Sequence, residues 1–313
     1  MKNFALIGAA GYIAPRHMKA IQETGNNLSV ATDRNDSVGI IDSYFPQADF
    51  FIEFERFDRH VEKLNRLGDD KRIHYVSICS PNYMHDSHIR FALRSGAHAI
   101  CEKPLVLNPW NVDALKESEV QHGLKVYNIL QLRLHPSIIK FRQDILSKPQ
   151  EKHEMILTYI TSRGSWYHYS WKGEKDKSGG IATNIGVHFF DMLHWTFGSV
   201  VDNKLHYIDD ERAAGYLEFE KAKVKWFLSI DSRDLPDEAK KQNKRTYRSF
   251  VCDGKEVEFS GGFEDLHTKV YNDILSGGGY GLDDARESVQ TVHDIRNMQA
   301  RKFDEQLHPY LKR

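Results

Sequence analysis

Short, uninterrupted apolar runs over 4–8, 28–32, 75–79, 97–101 and 126–131 each close on a turn signal, and helical spacing fills the intervals at 12–24, 59–67, 85–95 and 111–123. No other property of the chain restricts its fold as strongly. Apolar runs of that length read as strands covered on both faces, and such strands alternating with helices of ~10 residues or more imply βαβ units on a parallel sheet. A further helical segment is expected at 37–44. Residues 1–130 are therefore expected to form one doubly wound domain.

Beyond residue 135 the texture changes to longer alternating runs at 154–161, 205–208, 215–220, 224–230, 246–252 and 256–259, several with no helix between them. That pattern suits a largely antiparallel open sheet, polar on one face and covered by helices on the other. Helices are expected at 138–146, 188–195 and 283–298, and the charged, apolar-poor stretch 235–244 is expected to be a surface loop. The fold class predicted is α/β, with a second, α+β domain over 131–313.

Length and charge bound the function. The 313 residues, 40% apolar, suffice for two ordinary cores. Lys plus Arg (43) balances Asp plus Glu (44), which argues against nucleic acid or an anionic membrane as partner. An anionic ligand must then be held by a local cluster of cations. No window approaches ~18 uncharged apolar residues, so no spanning helix is expected. Three widely spaced cysteines, Cys79, Cys101 and Cys252, read as reduced core residues, and the start of the sequence has no signal-like apolar segment. Both point to the cytoplasm.

The first apolar run leads into Gly8-Ala9-Ala10-Gly11-Tyr12-Ile13-Ala14. Glycines after a strand and before a helix let the backbone turn tightly and approach a pyrophosphate, although this turn is one residue longer than the usual dinucleotide fingerprint. The second run ends at Asp33, where an acid accepts hydrogen bonds from a ribose diol and repels a 2′-phosphate. NAD is thus expected rather than NADP, with Arg34 adjacent. Ser80-Pro81-Asn82 follows the third run in the same way, and His85 lies just inside the next helix. Glu102, Lys103 and Gln131, at later strand ends, complete the candidate cofactor contacts beside Gly8, Gly11, Tyr12, Ile13, Asp33, Arg34, Ser80, Asn82 and His85.

Two further motifs suggest chemistry. The run Ala99-Ile100-Cys101 stops at Glu102-Lys103-Pro104, and proline forces the chain out of the ladder with the lysine displayed at a carboxyl strand end. In Gly179-Gly180-Ile181-Ala182-Thr183-Asn184-Ile185-Gly186-Val187-His188-Phe189-Phe190-Asp191, glycines flank a short polar segment, and His188 and Asp191 sit one helical turn apart. A histidine titrating near neutrality can take a hydroxyl proton, and the carboxylate is expected to orient its ring. The sixteen histidines include no set with the spacing of a zinc site, so no metal is expected.

Together these motifs resemble the glucose-fructose oxidoreductase, inositol dehydrogenase and MocA (Gfo/Idh/MocA) family over essentially the whole chain. The resemblance implies a Rossmann domain followed by a substrate and oligomerisation domain, with Lys103 and His188 flanking the carbon from which hydride leaves. Finer stretches, Asn128-Ile129-Leu130-Gln131-Leu132-Arg133, Tyr159-Ile160-Thr161-Ser162-Arg163-Gly164, Ser170-Trp171-Lys172-Gly173 and Ala182 to His188, are similar to enzymes that oxidise C3 of UDP-N-acetylglucosaminuronate. That implies a role in making 2,3-diamino-uronate sugars for O-antigen and lipopolysaccharide. Asn184 stands where many members carry Asp, which removes one candidate carboxylate and leaves His188 as the base with Lys103 steadying the oxygen, or the reverse if Lys103 is desolvated.

Catalytic candidates are accordingly Lys103, His188 and Asn184. Substrate contacts are expected from Lys103, Arg133, Arg163, Tyr167, Trp171, Lys172, Thr183, Asn184 and His188, with Lys177 and Trp166 nearby. A homodimer or homotetramer is implied, and a 2-oxo acid is a possible second oxidant. The competing expectations are another NAD-dependent sugar or polyol dehydrogenase, or an NAD-using glycosidase of the same family.

Overall fold

The computed structural model describes residues 1–148, 152–257, 263, 265–301 and 306–312. The chain divides into two compact units, Met1–Gln131 with Glu264–Arg286, and Leu132–Phe263 with Glu287–Arg313.

In the first unit the elements run β1 (Asn3–Ile7), α1 (Ala14–Glu23), β2 (Asn27–Thr32), β3 (Asp49–Phe51), α2 (Phe54–Arg66), β4 (Tyr75–Ile78), α3 (His85–Arg94), β5 (His98–Cys101), α4 (Pro109–His122) and β6 (Val126–Asn128). All pairs in the six-stranded sheet β3-β2-β1-β4-β5-β6 are parallel. Every residue of β1 is buried, as a central strand under helices on both faces requires.

Strand order reverses between β1 and β4, and open α/β sheets bind ligands outside the carboxyl ends at such a switch point. Register makes that edge definite. Ile7 faces Thr32 and Ile78, Ile78 faces Cys101, and Cys101 faces Asn128. The residues that follow β1, β2, β4, β5 and β6, namely Gly8, Asp33, Cys79, Glu102 and Ile129, therefore form one row.

Several expectations are corrected here. The edge strand β3 has only three residues and little burial, too short to show periodicity. Residues expected to be helical at 37–44 form a 3-10 turn over Gly39–Ser43. The strand expected over 126–131 ends at Asn128, and a 3-10 turn covers Gln131–Leu134. The largest difference is Glu264–Arg286, expected in the second domain but packed into the first unit. It carries a helix over Leu266–Leu275 that lies along α1 and buries Leu266, His267, Val270, Tyr271 and Ile274. Its stripe at 266, 270 and 274 is a helical signal that the glycines after 276 obscure.

The second unit continues with α5 (Pro136–Leu146), β7 (His153–Thr161), the short α6 (Trp166–Tyr169) and α7 (Lys175–Ser178), and α8 (Val187–Phe197). Then come β8 (Val200–Ile208), β9 (Arg212–Phe219), β10 (Ala222–Ser229), α9 (Asp237–Lys241), β11 (Thr246–Cys252) and β12 (Lys255–Glu256). The helix of the first unit described above is α10, and α11 spans Leu282–Asn297. The sheet order is β12-β11-β7-β10-β9-β8, antiparallel except for the β7 and β10 pair. One helix, α9, interrupts the expected loop at 235–244, and residues 258–259 of the expected last strand lie outside the described residues.

One sheet face is packed by α8, with the Phe190 ring 5.3 Å from Trp226 and the Phe189 ring 6.1 Å from Phe250. Each fully buried apolar side chain of this kind stabilises by ~1.5–3 kcal/mol. The opposite face is not the polar surface expected. Ile160, Ala214, Phe227 and Leu235 are buried on it, and Tyr310 stacks 5.0 Å from Phe227. Among the described residues no helix is long and apolar enough to cross a membrane. The three cysteines are free and buried, and burial pushes the Cys252 thiol up to about 12.

Candidate active site

At the switch point of the first unit, Gly8 has φ +92°, and a Cβ there would stand 2.7 Å from the Cys79 carbonyl carbon and the Ser80 nitrogen. Only glycine lets β1 and β4 approach so closely and leaves an open backbone cradle. The turn closes through Gly11 N–H donating to Gly8 O and Ala14 N–H to Gly11 O, both at 3.0 Å. Asp33 is tied into the same turn: its Oδ2 accepts from Ala10 N–H at 3.0 Å and its Oδ1 from Asn35 N–H at 2.9 Å. The N-terminus of α1 has no side-chain cap, so its N–H groups suit a phosphate. Cradle, uncapped helix and acid together fit NAD.

Ser80 and His85 have structural partners as well. Ser80 Oγ pairs with His88 Nδ1 at 2.8 Å, and burial pushes His88 down to about 4, so that ring is neutral. His85 lies between two carbonyls, with Nδ1 2.7 Å from Pro104 O and Nε2 2.9 Å from Ser80 O. Burial lowers its pKa while those carbonyls pull the other way. His85 thereby joins the turn after β4 to the turn after β5. Tyr12 and Arg34 are exposed, Asn82 is buried, and Gln131 is half-buried with its Oε1 lacking a hydrogen-bond partner among the described residues.

Glu102 is buried at the end of β5, 8% exposed. Its Oε1 accepts from Nε2 of His17, on α1, at 3.1 Å and from Nε2 of His267, on α10, at 2.9 Å. Its Oε2 accepts from Lys103 N–H at 3.1 Å, and Asn128 Nδ2 donates to the Cys101 and Glu102 carbonyls. Burial alone raises a carboxyl pKa, but the two histidine hydrogen bonds outweigh it and hold Glu102 well below the usual range. Lys103 is half-buried, and its peptide to Pro104 is cis.

In the second unit, the polar segment forms a π-helical turn over Ala182–Gly186 that runs into α8. Such turns are rare and concentrate at functional sites. A Cβ on Gly186 would meet Leu228 Cδ1 at 2.6 Å, so close packing on β10 sets this turn. Asn184 Nδ2 donates to the Tyr167 hydroxyl at 2.7 Å, and burial raises that phenol. Thr183 is fully buried, and its Oγ1 has no hydrogen-bond partner among the described residues. The half-buried His188 ring lies 5.9 Å from Tyr159, edge-on, and 4.1 Å from Phe189.

A long-range pairing was not legible in the sequence. Arg133 grips Asp191, Nη2 to Oδ1 at 2.8 Å and Nε to Oδ2 at 3.1 Å, with both residues buried. Asp191, expected to orient His188, thus has both oxygens on Arg133, and Arg133, expected at the substrate, ties α8 to the turn after β6. Lys172 Nζ lies 4.2 Å from the Trp171 ring and 5.9 Å from Trp166, whereas Lys177 pairs with Glu174 at 2.7 Å. Arg163 is exposed.

Among the described residues, two clusters bring metal-ligating atoms within 4.8 Å: His17, Glu102 and His267, and His153, Cys252 and Asp253. In the first the contacts are satisfied as hydrogen bonds. In the second His153 Nδ1 bonds Asp253 Oδ2 at 2.7 Å, and the Cys252 thiol is held protonated.

A parallel sheet ordered 3-2-1-4-5-6 with a glycine cradle and an acid directly after β2, carried on the same chain as a mixed-sheet domain, defines a dinucleotide-binding protein. Residues 2–129 match the profile of the oxidoreductase family with an NAD-binding Rossmann fold, and residues 154–233 match that family's C-terminal alpha/beta domain. The chain belongs to the Gfo/Idh/MocA family of oxidoreductases, whose first domain binds NAD.

The WlbA (WbpB) dehydrogenase of Thermus thermophilus, solved with NAD and UDP-GlcNAcA and also with NAD and alpha-ketoglutarate, is 48% identical. That likeness covers 99% of this chain and 100% of that one, with a TM-score of 0.95. WlbA of Bordetella pertussis shares the fold, at 15% identity and TM-score 0.76 over 95% of this chain and 94% of its own. Glucose-6-phosphate 3-dehydrogenase of Bacillus subtilis is 22% identical over 209 residues, 64% of this chain and 55% of that protein. This chain spans between 37% and 55% of the lengths of the first curated relatives it matches.

Proposed function

We propose that this protein oxidises the C3 hydroxyl of UDP-N-acetyl-D-glucosaminuronate to the 3-keto sugar nucleotide, in the making of 2,3-diamino-uronate sugars. The observation that carries this reading is the 48% identity, over essentially all of both chains, to a dehydrogenase crystallised with NAD and that substrate. NAD, when bound, supplies the hydride acceptor.

The residues divide the remaining work. His188 takes the hydroxyl proton, a role worth about 10² to 10⁴ in rate. Lys103, protonated, hydrogen-bonds the same oxygen and steadies its developing charge. Asn184, oriented by Tyr167, fixes the substrate beside the π turn, and Thr183 offers a buried hydroxyl there. Lys172 and Arg163 meet the diphosphate and carboxylate, and Trp171 gives a ring face for stacking. Arg133 acts through Asp191, holding α8 and with it His188. In the first unit Gly8, Gly11, Tyr12 and Ile13 border the pyrophosphate, Asp33 takes the ribose diol, and Ser80, Asn82, His85, Glu102 and Gln131 border the rest of the cofactor.

A 2-oxo acid is the proposed second oxidant, supported by the alpha-ketoglutarate complex of the Thermus enzyme. A cytoplasmic homodimer or homotetramer is proposed, and the free, buried cysteines suit that compartment. The test is purified protein with UDP-N-acetylglucosaminuronate and NAD, with and without 2-oxoglutarate. NADH absorbance or 2-hydroxyglutarate should appear together with a 3-keto product in mass spectra. No keto product in either arm would refute the substrate.

A further inference from the structure

Glu102 is the centre of a hydrogen-bond chain whose outer members no sequence motif contains. Its directions follow from chemistry. An ionised carboxylate only accepts, so Nε2 of both His17 and His267 must donate to Oε1. Burial lowers the pKa of His17, which is fully buried, so its ring is neutral and its Nδ1 is left as an acceptor. The Tyr271 hydroxyl, 2.7 Å away, therefore donates to His17 Nδ1, and Ser77 Oγ, 2.6 Å from that hydroxyl, donates to Tyr271. Every proton in the chain Ser77, Tyr271, His17, Glu102 points toward the carboxylate, and His267 adds another.

We propose that His17 and His267 are positioning residues for catalysis: they immobilise Glu102 as an anion, whose other oxygen fixes the main chain of Lys103. The proposal rests on the reading of Lys103 given above. Three elements supply the clamp, β4 through Ser77, α1 through His17 and α10 through His267 and Tyr271. Oε2 accepts from Lys103 N–H, so the lysine that ends β5 is set by a carboxylate held from behind.

Other titratable groups around the carboxylate do not replace the clamp. The Cys79 and Cys101 thiols are pushed well up by burial and by the Glu102 charge, and Tyr271 is pushed up by burial and by the charge around it. His85 feels the charge but bonds to the Pro104 and Ser80 carbonyls, and the Arg16 charge lowers the pKa of His17. Stripped of its two donors, a carboxyl as buried as Glu102 takes up a proton near neutral pH. Its grip on the Lys103 N–H weakens with the lost charge.

The test compares His17→Gln and His267→Gln, which keep an amide N–H donor, with His17→Leu and His267→Leu, with Lys103→Met run in parallel. The Leu variants should lose about tenfold or more in kcat with KM changed less than threefold, and the acid limb of the kcat profile should move up by about one pH unit or more. The Gln variants should recover most of both. If Lys103→Met is inactive while the Leu variants keep the wild-type kcat and pH profile, the clamp is refuted. If Lys103→Met turns over normally, the reading of Lys103 fails instead.

A second measurement needs no turnover. In the doubly substituted His17→Leu, His267→Leu protein, stripped of both donors, the folded pKa of Glu102 lies above its unfolded value of about 4.3, so the folded state binds the extra proton and stability falls as pH rises through the window above about 4.3. Its melting temperature should therefore drop relative to wild type between about pH 5 and 7. A uniform offset with no pH dependence would overturn the proposal.

Discussion

Removing one partner of the Arg133 and Asp191 pair should be far more damaging than removing both. The two residues make a bidentate pair at 2.8 and 3.1 Å, with side chains only 6% and 1% exposed. Asp191→Leu would leave a guanidinium buried without its countercharge, a loss of about 3–5 kcal/mol, and Arg133→Met would strand the carboxylate at similar cost. In the double variant, apolar groups of similar volume fill the site and the charge penalty disappears, so the cost should fall to ~1–2 kcal/mol. The coupling energy would then be at least ~4 kcal/mol, well beyond the additivity expected of independent sites. Trp195 is a built-in reporter, because the Arg133 guanidinium lies 6.0 Å from its ring. Urea titrations followed by tryptophan fluorescence would give the four free energies. Costs that simply add would show that the pair contributes through packing rather than charge, and would remove the electrostatic tether from the account of α8.

Gly8→Ala should fold but bind NAD at least about tenfold more weakly, since it puts a methyl group 2.7 Å from the Cys79 carbonyl at positive φ; titration of NAD against intrinsic fluorescence checks it, and unchanged affinity would remove the cradle. His188→Asn should lower kcat by about 10² to 10⁴ while leaving the melting temperature and NAD affinity near wild type, measured by NADH formation at saturating substrate. In the wild type the folded pKa of Glu102 is depressed, so its contribution to stability is full above the unfolded pKa of about 4.3 and is lost as pH falls below it. Glu102→Gln should therefore flatten the acid limb of a melting-temperature profile, and an unchanged limb would count against an ionised Glu102.

The parallel sheet was legible because its strands are covered on both faces and so read as unbroken apolar runs, with Phe4, Ala5, Leu6 and Ile7 as the plainest case. The switch-point residues Gly8 and Asp33 were legible because they sit at fixed offsets from those runs. What escaped is pairing at long range. Arg133 and Asp191 are 58 residues apart, and Glu102 meets His17 and His267 across 85 and 165 residues. Period and spacing carry no information about such partners, so Asp191 was assigned by proximity to His188 and not by the guanidinium that holds it. The outer sheet face misled for a related reason: Phe227 and Ile160 share their strand faces with Lys223, Lys225, Glu154 and Thr158, and the covering residues Tyr310 and Leu311 lie at the far end of the sequence.

The return of Glu264–Arg286 to the first unit has a consequence for the order in which the protein is made. A nascent chain that has emerged only as far as β6 has its parallel sheet but not α10, so the apolar side of α1 is uncovered and Glu102 lacks one of its two donors. Vectorial synthesis therefore cannot complete the dinucleotide-binding half before nearly all of the other half has left the ribosome. Residues 1–131 expressed alone should be a sticky, chaperone-dependent fragment, and maturation of the cofactor site should wait until Glu264–Arg286 has emerged.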